Sequence, residues 1–246
     1  MTRVALVTGA AGGLGQATVA AFREGGWQVV GIDRVESAAI EYGDVYLSAN
    51  VADAAAVESA FAQVARLERI DALVNNAAIQ VGSTVLETSP EDWDAVMATN
   101  VRSSFLTIRA AYPLMRDRGA AVVNVSSVHA VATSHAVAAY ATSKAALMGL
   151  TRAAAVELAS SGIRVNAVLP GAIDTPMLQA GVERRGASTP DAALSALASR
   201  TPLGRVALPE EIAQAILFLS DPVRSSFMTG QCLIVDGGAT AHLSTE

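Results

Sequence analysis

The first 33 residues constrain the fold more than any other stretch. Arg3 to Thr8 is a short apolar run rich in β-branched residues, which reads as a buried strand. It breaks at Thr8-Gly9-Ala10-Ala11-Gly12-Gly13-Leu14-Gly15, and Gln16 to Arg23 then reads as a helix that stops before Gly25-Gly26. Trp27 to Ile32 is a second apolar strand with Asp33 at its carboxyl end. Strand, glycine-rich turn, helix, strand and acid within about 30 residues make a dinucleotide-binding βαβ pattern. Glycines let the backbone approach a pyrophosphate, which rests on amides at the helix N-terminus. Asp33 stands where it can accept hydrogen bonds from ribose hydroxyls and repel a 2′-phosphate. The spacing is G-x-x-x-G-x-G, not the commoner G-x-G-x-x-G, so on this motif alone a purely structural glycine turn stays open.

The rest of the chain repeats the alternation. Between Asp33 and Val45 there is little periodicity and room only for a short helix. Val45 to Ser48 reads as a third strand, and Asp53 caps an Ala-rich helix running to about Arg66. Asp71 to Asn75 is a fourth strand, and Ser89-Pro90 has the N-cap and first-position proline of a helix start. A longer helix is expected over about Val101 to Arg118, a fifth strand over Ala120 to Val125, and an Ala-rich helix that ends near Ser161-Gly162. Ile163 to Leu169 is a sixth strand. Asp174 to Arg205 reads as loop with one helix from Pro190 to Ser199, then comes a helix from Pro209 to Leu219 and a seventh strand, Cys232 to Val235. This alternation predicts an α/β protein: a Rossmann-like, doubly wound, seven-stranded parallel sheet with helices on both faces. At 246 residues it suits one domain, 1–246, and no linker or repeat divides it.

Composition removes several classes of function. No apolar run reaches the roughly 18 residues of a membrane span, and the N-terminus shows no secretory pattern. Net charge is -6 with no basic cluster, which argues against nucleic acid and anionic membrane as partners. The single cysteine, Cys232, lies in an apolar run and reads as a buried, inert thiol. His129, His135 and His242 show no metal-ligand spacing, so no metal is expected. A cytoplasmic protein acting on a small molecule is the expectation.

Tyr140-Ala141-Thr142-Ser143-Lys144 opens the Ala-rich helix, so the phenol and the ammonium share one face a turn apart. A nearby cation is expected to lower a tyrosine pKa toward neutrality and make it a proton donor and acceptor. Taken alone, the pair also suits a surface Tyr and Lys spaced by chance. What separates the two readings is location. Gly9 to Gly15, Asp33, Asn75 to Ala78, Ser126-Ser127 and Pro170 to Thr175 all follow the carboxyl ends of predicted strands, the edge where open α/β sheets bind ligands.

Thr8-Gly9-x-x-x-Gly13-x-Gly15, Asn75-Asn76-Ala77-Ala78, Asn100, Ser127, Tyr140-x-x-x-Lys144 and Pro170-Gly171 occur in order, with Ser127 thirteen residues before Tyr140. Over essentially its whole length the chain resembles the short-chain dehydrogenase/reductase family. The resemblance implies an oxidoreductase that moves a hydride between NAD(H) and a secondary alcohol or ketone. It makes Tyr140 the general acid/base, Lys144 its modulator and a nicotinamide-ribose ligand, and Ser127 the residue that holds the reacting oxygen. Asn100 would sit in a helix kink and keep a water in a proton relay from Lys144; without the family pattern it reads as a helix N-cap. Ser126 reads as structural. Gly9, Gly13, Leu14 and Gly15 would cradle the cofactor, and Asp33 and Arg34 would flank its adenosine ribose. Asn50 and Val51 would lie beside adenine, Asn76, Ala77 and Ala78 along the dinucleotide, and Pro170, Gly171, Ile173 and Thr175 around the nicotinamide. Two departures stand out. Ala78 replaces a usual glycine, which asks that backbone to avoid positive φ, and Asn50 replaces a usual aspartate.

Asp33, with no basic residue at Gly12, favours NAD over NADP, although Arg34 could meet a 2′-phosphate. The alternatives are a 3-oxoacyl-thioester reductase and a nucleotide-binding regulator without turnover; regulators of this type tend to lose the Tyr or Lys kept here. A hydrolase has no G-x-S-x-G elbow to support it. Residues 175–205 are expected to form a substrate lid carrying Met177, Leu178, Val182, Arg184 and Arg185. His129 and His135 near the catalytic residues suggest a polar hydroxylated substrate. Apolar outer faces on the helices over Val101–Arg118 and Ala138–Ser161 imply a homodimer contact, and the family pattern extends it to a homotetramer through the region around Asp236-Gly237-Gly238.

Overall fold

The computed structural model describes residues 2–36, 43–183 and 190–241. Seven strands form one parallel sheet: β1 (Val4–Thr8), β2 (Gln28–Asp33), β3 (Val45–Ser48), β4 (Ala72–Asn75), β5 (Ala121–Val125), β6 (Arg164–Pro170) and β7 (Cys232–Val235), in the order β3-β2-β1-β4-β5-β6-β7. Strand order reverses beside β1, which pairs with β2 (Val7↔Gly31) and with β4 (Val7↔Val74). The loops leaving β1 and β4 therefore diverge, and a crevice opens at the carboxyl edge of the sheet.

Period-two burial divides the strands between two cores. Leu6, Val30, Leu73, Val122 and Val165 point to one face, where α2 (Ala54–Val64), α4 (Ser103–Met115) and α5 (Ala138–Leu158) cover them. Ala5, Val7, Val29, Val74, Val123 and Val168 point to the other, under α1 (Gly13–Glu24) and α8 (Pro209–Ser220). Strands β1, β4 and β5 are buried on both faces, which is why they read as continuous apolar runs and not as alternations. Asp53 caps α2 by accepting from Ala55 N and Ala56 N, and Ser89 caps α3 (Pro90–Met97) by accepting from Asp92 N, as their sequences predict.

Four expectations need correction. Asn100 is not a helix N-cap: α3 runs through a π-helical turn, Ala98–Arg102, straight into α4, and Asn100 lies inside that turn. The combined helix ends at Met115, before Asp117 takes φ 62, and so stops short of Arg118. The stretch after Asp174 is not loop-like at its start, because Pro176–Glu183 form α6 ahead of α7 (Pro190–Ser199). Thr175-Pro176 is the start signal: Thr175 O accepts from Gln179 N at 3.0 Å, and the proline takes the first helical position. Cys232 is half-buried, not enclosed, because β7 is the edge strand; even so, burial pushes its thiol pKa up. Arg184, Arg185 and His242 lie outside the described residues.

Candidate active site

The turn after β1 is shaped by what glycine lacks. A Cβ on Gly15 would lie 2.0 Å from Gly9 O, and one on Gly9, whose φ is +66, would lie 2.8 Å from Ala77 Cα. Both positions need glycine for the loop and the helix to pack. Gly12 caps α1 with backbone alone, no acidic side chain occupies the first turn, and the first intrahelical partner of Gly12 O is Gln16 N at 2.9 Å. The amides of Gly13, Leu14 and Gly15 thus face the crevice at the positive end of a 12-residue helix, an arrangement that fits a diphosphate.

Several side chains brace that turn. Asp33 Oδ2 accepts from Ala11 N at 3.0 Å, so the acid at the end of β2 holds the glycine loop while facing the crevice; Arg34 beside it is exposed. Asn76 Nδ2 donates to Thr8 O at 3.0 Å and to Gly9 O at 3.1 Å, while Thr8 Oγ1 accepts from Asn76 N and Ala77 N. Ala78 stays out of positive φ, as alanine requires at that turn. Asn50 Oδ1 accepts from Ala52 N at 3.1 Å and Val51 is buried, both just past β3. Farther along the edge, a Cβ on Gly171 would meet Asp236 Cα at 2.9 Å, so this glycine lets the turn after β7 close on Pro170. Ile173 bridges Ala207, and Thr175 Oγ1 donates to Ile173 O at 3.3 Å.

The chemistry-bearing residues converge where β5 meets α5. Ser127 follows β5, and its hydroxyl lies close enough to the Tyr140 phenol to lower that group's pKa. Lys144, 3% exposed, donates from Nζ to Val125 O at 2.7 Å, with Nζ 5.5 Å from the centroid of the Tyr140 ring. Among the described residues Lys144 has no ion-pair partner. Burial of an unpaired ammonium therefore lowers its pKa to about 7. Tyr140 departs from expectation. Burial raises its pKa and the nearby Ser127 hydroxyl opposes that, whereas Lys144, tied to the Val125 carbonyl, is not among the causes of the shift.

Asn100, 1% exposed, uses its whole amide: Oδ1 accepts from Ile79 N at 2.8 Å, and Nδ2 donates to Ile79 O and to Ser143 Oγ. Ser143 Oγ passes the link on to Tyr140 O at 2.7 Å. The π turn thus fastens the helix of Asn100 to the first turn of α5. Ser126 turns inward and donates to Lys144 O at 2.8 Å, consistent with a structural part.

A cavity of about 410 Å³ lies before the N-terminal end of α5, lined by Gln80, Gly82, Ser134, His135, Ala136, Val137 and Gly181 of α6. His135 belongs to that wall. His129 instead packs edge-on to Tyr140, with ring centroids 5.9 Å apart, and gives its backbone N–H to Ser127 Oγ at 3.2 Å. Among the described residues no cluster of His, Cys, Asp and Glu suits a metal ion, and no helix is long and apolar enough to cross a membrane.

Sequence reasoning missed the supports: Thr8, Ile79, the Val125 carbonyl, Ser143, and Asn75 with Asn124 inside otherwise apolar strands. Thr8 and the two asparagines carried a signal, since a polar side chain in a strand buried on both faces must find a partner. Ile79 and Val125 carried none, because they act through the backbone.

A glycine cradle for a diphosphate, an acid at the end of β2, and a half-buried Tyr140 beside buried Ser127 and Lys144 on the same sheet edge define a nicotinamide-dependent oxidoreductase. A family model described as enoyl-(acyl carrier protein) reductase matches residues 9–240. The chain is 39% identical over 248 residues to the 3-oxoacyl-(acyl-carrier-protein) reductase FabG of Thermotoga maritima, covering 96% of this chain and 97% of that one. It is 44% identical over 180 residues to the cyclopentanol dehydrogenase of a Comamonas species, covering 73% and 69%. Among solved structures it superposes on the ligand-free aldohexose dehydrogenase AldT of Thermoplasma acidophilum with a TM-score of 0.94, at 31% identity, covering 100% and 96%. The chain belongs to the short-chain dehydrogenase/reductase family, whose members use NAD(P)(H).

Proposed function

We propose that the protein is an NAD-dependent dehydrogenase or reductase that interconverts a neutral, hydroxylated secondary alcohol and its ketone. The observation that carries this reading is the junction of β5 and α5, which brings Ser127, Tyr140 and Lys144 together. Bound NAD(H) would accept or supply the hydride. The remaining work belongs to the chain. Ser127 holds the substrate oxygen, and Tyr140 takes its proton in oxidation and returns it in reduction. Lys144 has three N–H donors and spends one on Val125 O, which leaves two for ribose hydroxyls and the phenol. Asp33 supports NAD over NADP, since its carboxylate stands at the end of β2 where a 2′-phosphate would come.

The substrate class rests on the cavity wall. Ser134, His135 and Gln80 offer hydroxyl, imidazole and amide, and the rest of the lining is small. In this reading α6 and α7, residues 175–205, act as a lid on that wall. A second reading, reduction of a 3-oxoacyl thioester, draws on the likeness to FabG. We also propose a homotetramer in the cytoplasm. Phe105 on α4 and Val156 on α5 present exposed apolar side chains for one contact, and Phe227 with Ile234 on β7 present them for the other.

A panel of polyols, sugars, aliphatic alcohols and 3-oxoacyl thioesters, followed by NADH or NADPH absorbance, tests the assignment. Polyols or sugars with NAD are expected to give the highest kcat/KM, and His135→Ala to narrow their lead. Preference for a thioester with NADPH would replace the first reading by the second. Asp33→Ala is expected to cut the NAD-to-NADP preference at least about tenfold, from an interaction of about 1–3 kcal/mol. A wild type without NAD preference would refute the cofactor assignment.

A further inference from the structure

We propose that Asn124 and Thr151 are positioning residues: their hydrogen bond fixes where Tyr140 stands relative to Ser127. The inference rests on the reading of Tyr140 as the proton carrier. Three consecutive residues at the end of β5 bond to α5. Asn124 Nδ2 donates to Thr151 Oγ1 at 2.9 Å, Val125 O accepts from Lys144 Nζ, and Ser126 Oγ donates to Lys144 O. Ser127 comes next and meets Tyr140. The strand that delivers Ser127 is thus fastened to the helix that delivers Tyr140 at two heights, near Lys144 and at Thr151.

The far fastening matters because the near one leaves a pivot. Val137 gives α5 no side-chain cap, and the bond from Asn100 to Ser143 Oγ lies next to Lys144, so it shares the same pivot. Thr151 lies seven residues beyond Lys144, about 10 Å along the axis at 1.5 Å per residue. A helix held only around Ser143 and Lys144 can tilt about that point and swing the phenol, whereas a second bond at that lever arm removes the tilt.

The bond is also built to have one geometry. Thr107 Oγ1 donates to Asn75 Oδ1 at 2.6 Å, Asn75 Nδ2 to Asn124 Oδ1 at 2.9 Å, Asn124 Nδ2 to Thr151 Oγ1, and Thr151 Oγ1 to Leu147 O at 2.8 Å. All four side chains are buried, with Asn124 and Thr151 at 0% exposure, so no water competes for their polar atoms. Every donor points the same way along the chain from α4 through β4 and β5 to α5. Flipping either amide would set N–H against N–H or oxygen against oxygen, so Thr151 meets Asn124 in a single register.

The test compares Thr151→Val, which keeps the side-chain shape and loses the hydroxyl, with Thr151→Ser, which keeps the hydroxyl. Thr107→Val serves as the control, since it cuts an equally buried link that is not between β5 and α5. The assay uses NAD and the alcohol with the highest kcat/KM in the panel above. Thr151→Val is expected to lower kcat about tenfold with KM for NAD within about twofold, since misplacement of a reacting group costs rate more than binding. Thr151→Ser is expected to stay within about twofold of wild type, and Thr107→Val to lower Tm with kcat nearly unchanged. A crystal structure of Thr151→Val, which needs no substrate, is expected to show the Tyr140 phenol displaced relative to Ser127 Oγ. Asn124→Ser tests the same bond from the strand side if Thr151→Val does not fold. Unchanged kcat in Thr151→Val, or losses in Thr151→Val and Thr107→Val that simply follow Tm, would overturn the proposal. An active Tyr140→Phe would remove instead the reading on which it rests.

Discussion

The turn after β1 and the segment from Ala172 to Ala207 face each other across the carboxyl edge of the sheet, and they are built differently. In the turn nearly every polar group is tied: Ala10 N to Ile32 O, Ala11 N to Asp33, Gly12 N to Gly9 O, and the Asn76 amide to Thr8 O and Gly9 O. Among its described residues the opposite segment is tied by the Ile173–Ala207 bridge, Leu203 N to Gly237 O and the exposed Arg205–Glu211 pair, and it leaves Met177 and Leu203 in solvent. The two meet where Thr175 Cγ2 would lie 3.1 Å from a Cβ on Gly13. The difference teaches where tolerance lies. A backbone packed against backbone has no side chain to give way, whereas a helix resting on a few contacts can be re-sequenced or shifted.

Substitutions can break or sharpen that contrast. The largest effect is expected at Tyr140, between the two regions. Tyr140→Phe removes only the phenol oxygen that we propose carries the proton, and is expected to lower kcat by about 10²–10⁴. NAD affinity, measured by titration calorimetry, should hold within about twofold; a near-normal kcat would remove Tyr140 from the chemistry.

Lys144 comes next, and its signature is a pH slope. Its folded pKa is lowered to about 7, against about 10.4 in an unfolded chain. Between those values the native protein binds fewer protons than the unfolded one, so this group's contribution makes stability rise with pH. Below about pH 7 both states carry the charge and the full burial cost is felt; above about 10.4 neither does. Lys144→Met loses the bond to Val125 O at every pH but removes this slope. Relative to wild type it should therefore be most stable at or below pH 7 and lose ground toward pH 10, by an amount on the order of a few kcal/mol. Parallel unfolding curves across that range would mean that the ammonium is not buried unpaired.

A matched glycine pair probes the turn itself. Gly15→Ala drives a methyl onto Gly9 O and is expected to cost about 1–3 kcal/mol and weaken NAD binding at least about tenfold. Gly12→Ala meets Gly9 O only at 3.4 Å and adopts φ −73, so it should shift stability by no more than about 0.5 kcal/mol. Equal behaviour of the two would deny that close packing is what requires glycine there. The smallest effect is expected on the other side. Leu203→Ser, 67% exposed, should leave Tm within about 2 °C and cofactor affinity unchanged.

The sequence made the two regions unequally legible for the same reason. Strands buried on both faces had to be unbroken apolar runs, and turns packed on backbone had to be glycine, so residues 3–33 spelled out their own geometry. The π turn at Ala98–Arg102 left no such mark, because an inserted residue in a helix changes spacing by one and not composition. Helix α6 was hidden by Gly181, which lowers helical propensity while facing the cavity. The tyrosine–lysine spacing was plain, but its electrostatics were not. Which oxygen the ammonium grips is decided by the carbonyl of Val125, and a backbone carbonyl has no letter in the sequence.

The central place of β1 in the sheet bears on how the protein is made. Its partner on one side, β2, follows within one helix, but Ala5 waits for Ala72 on the other. At 5–20 residues per second a ribosome takes about 3–13 s to bridge that gap. During this interval the glycine turn exists without Asn76 and Thr8 exists without Val74, so the diphosphate cradle is an unfinished loop on a growing chain. Nascent chains stalled with β4 still inside the ribosome should be cut readily by protease near Gly12. Chains stalled after β4 has emerged and docked should resist, which gives translation a direct reading of when the nucleotide site first closes.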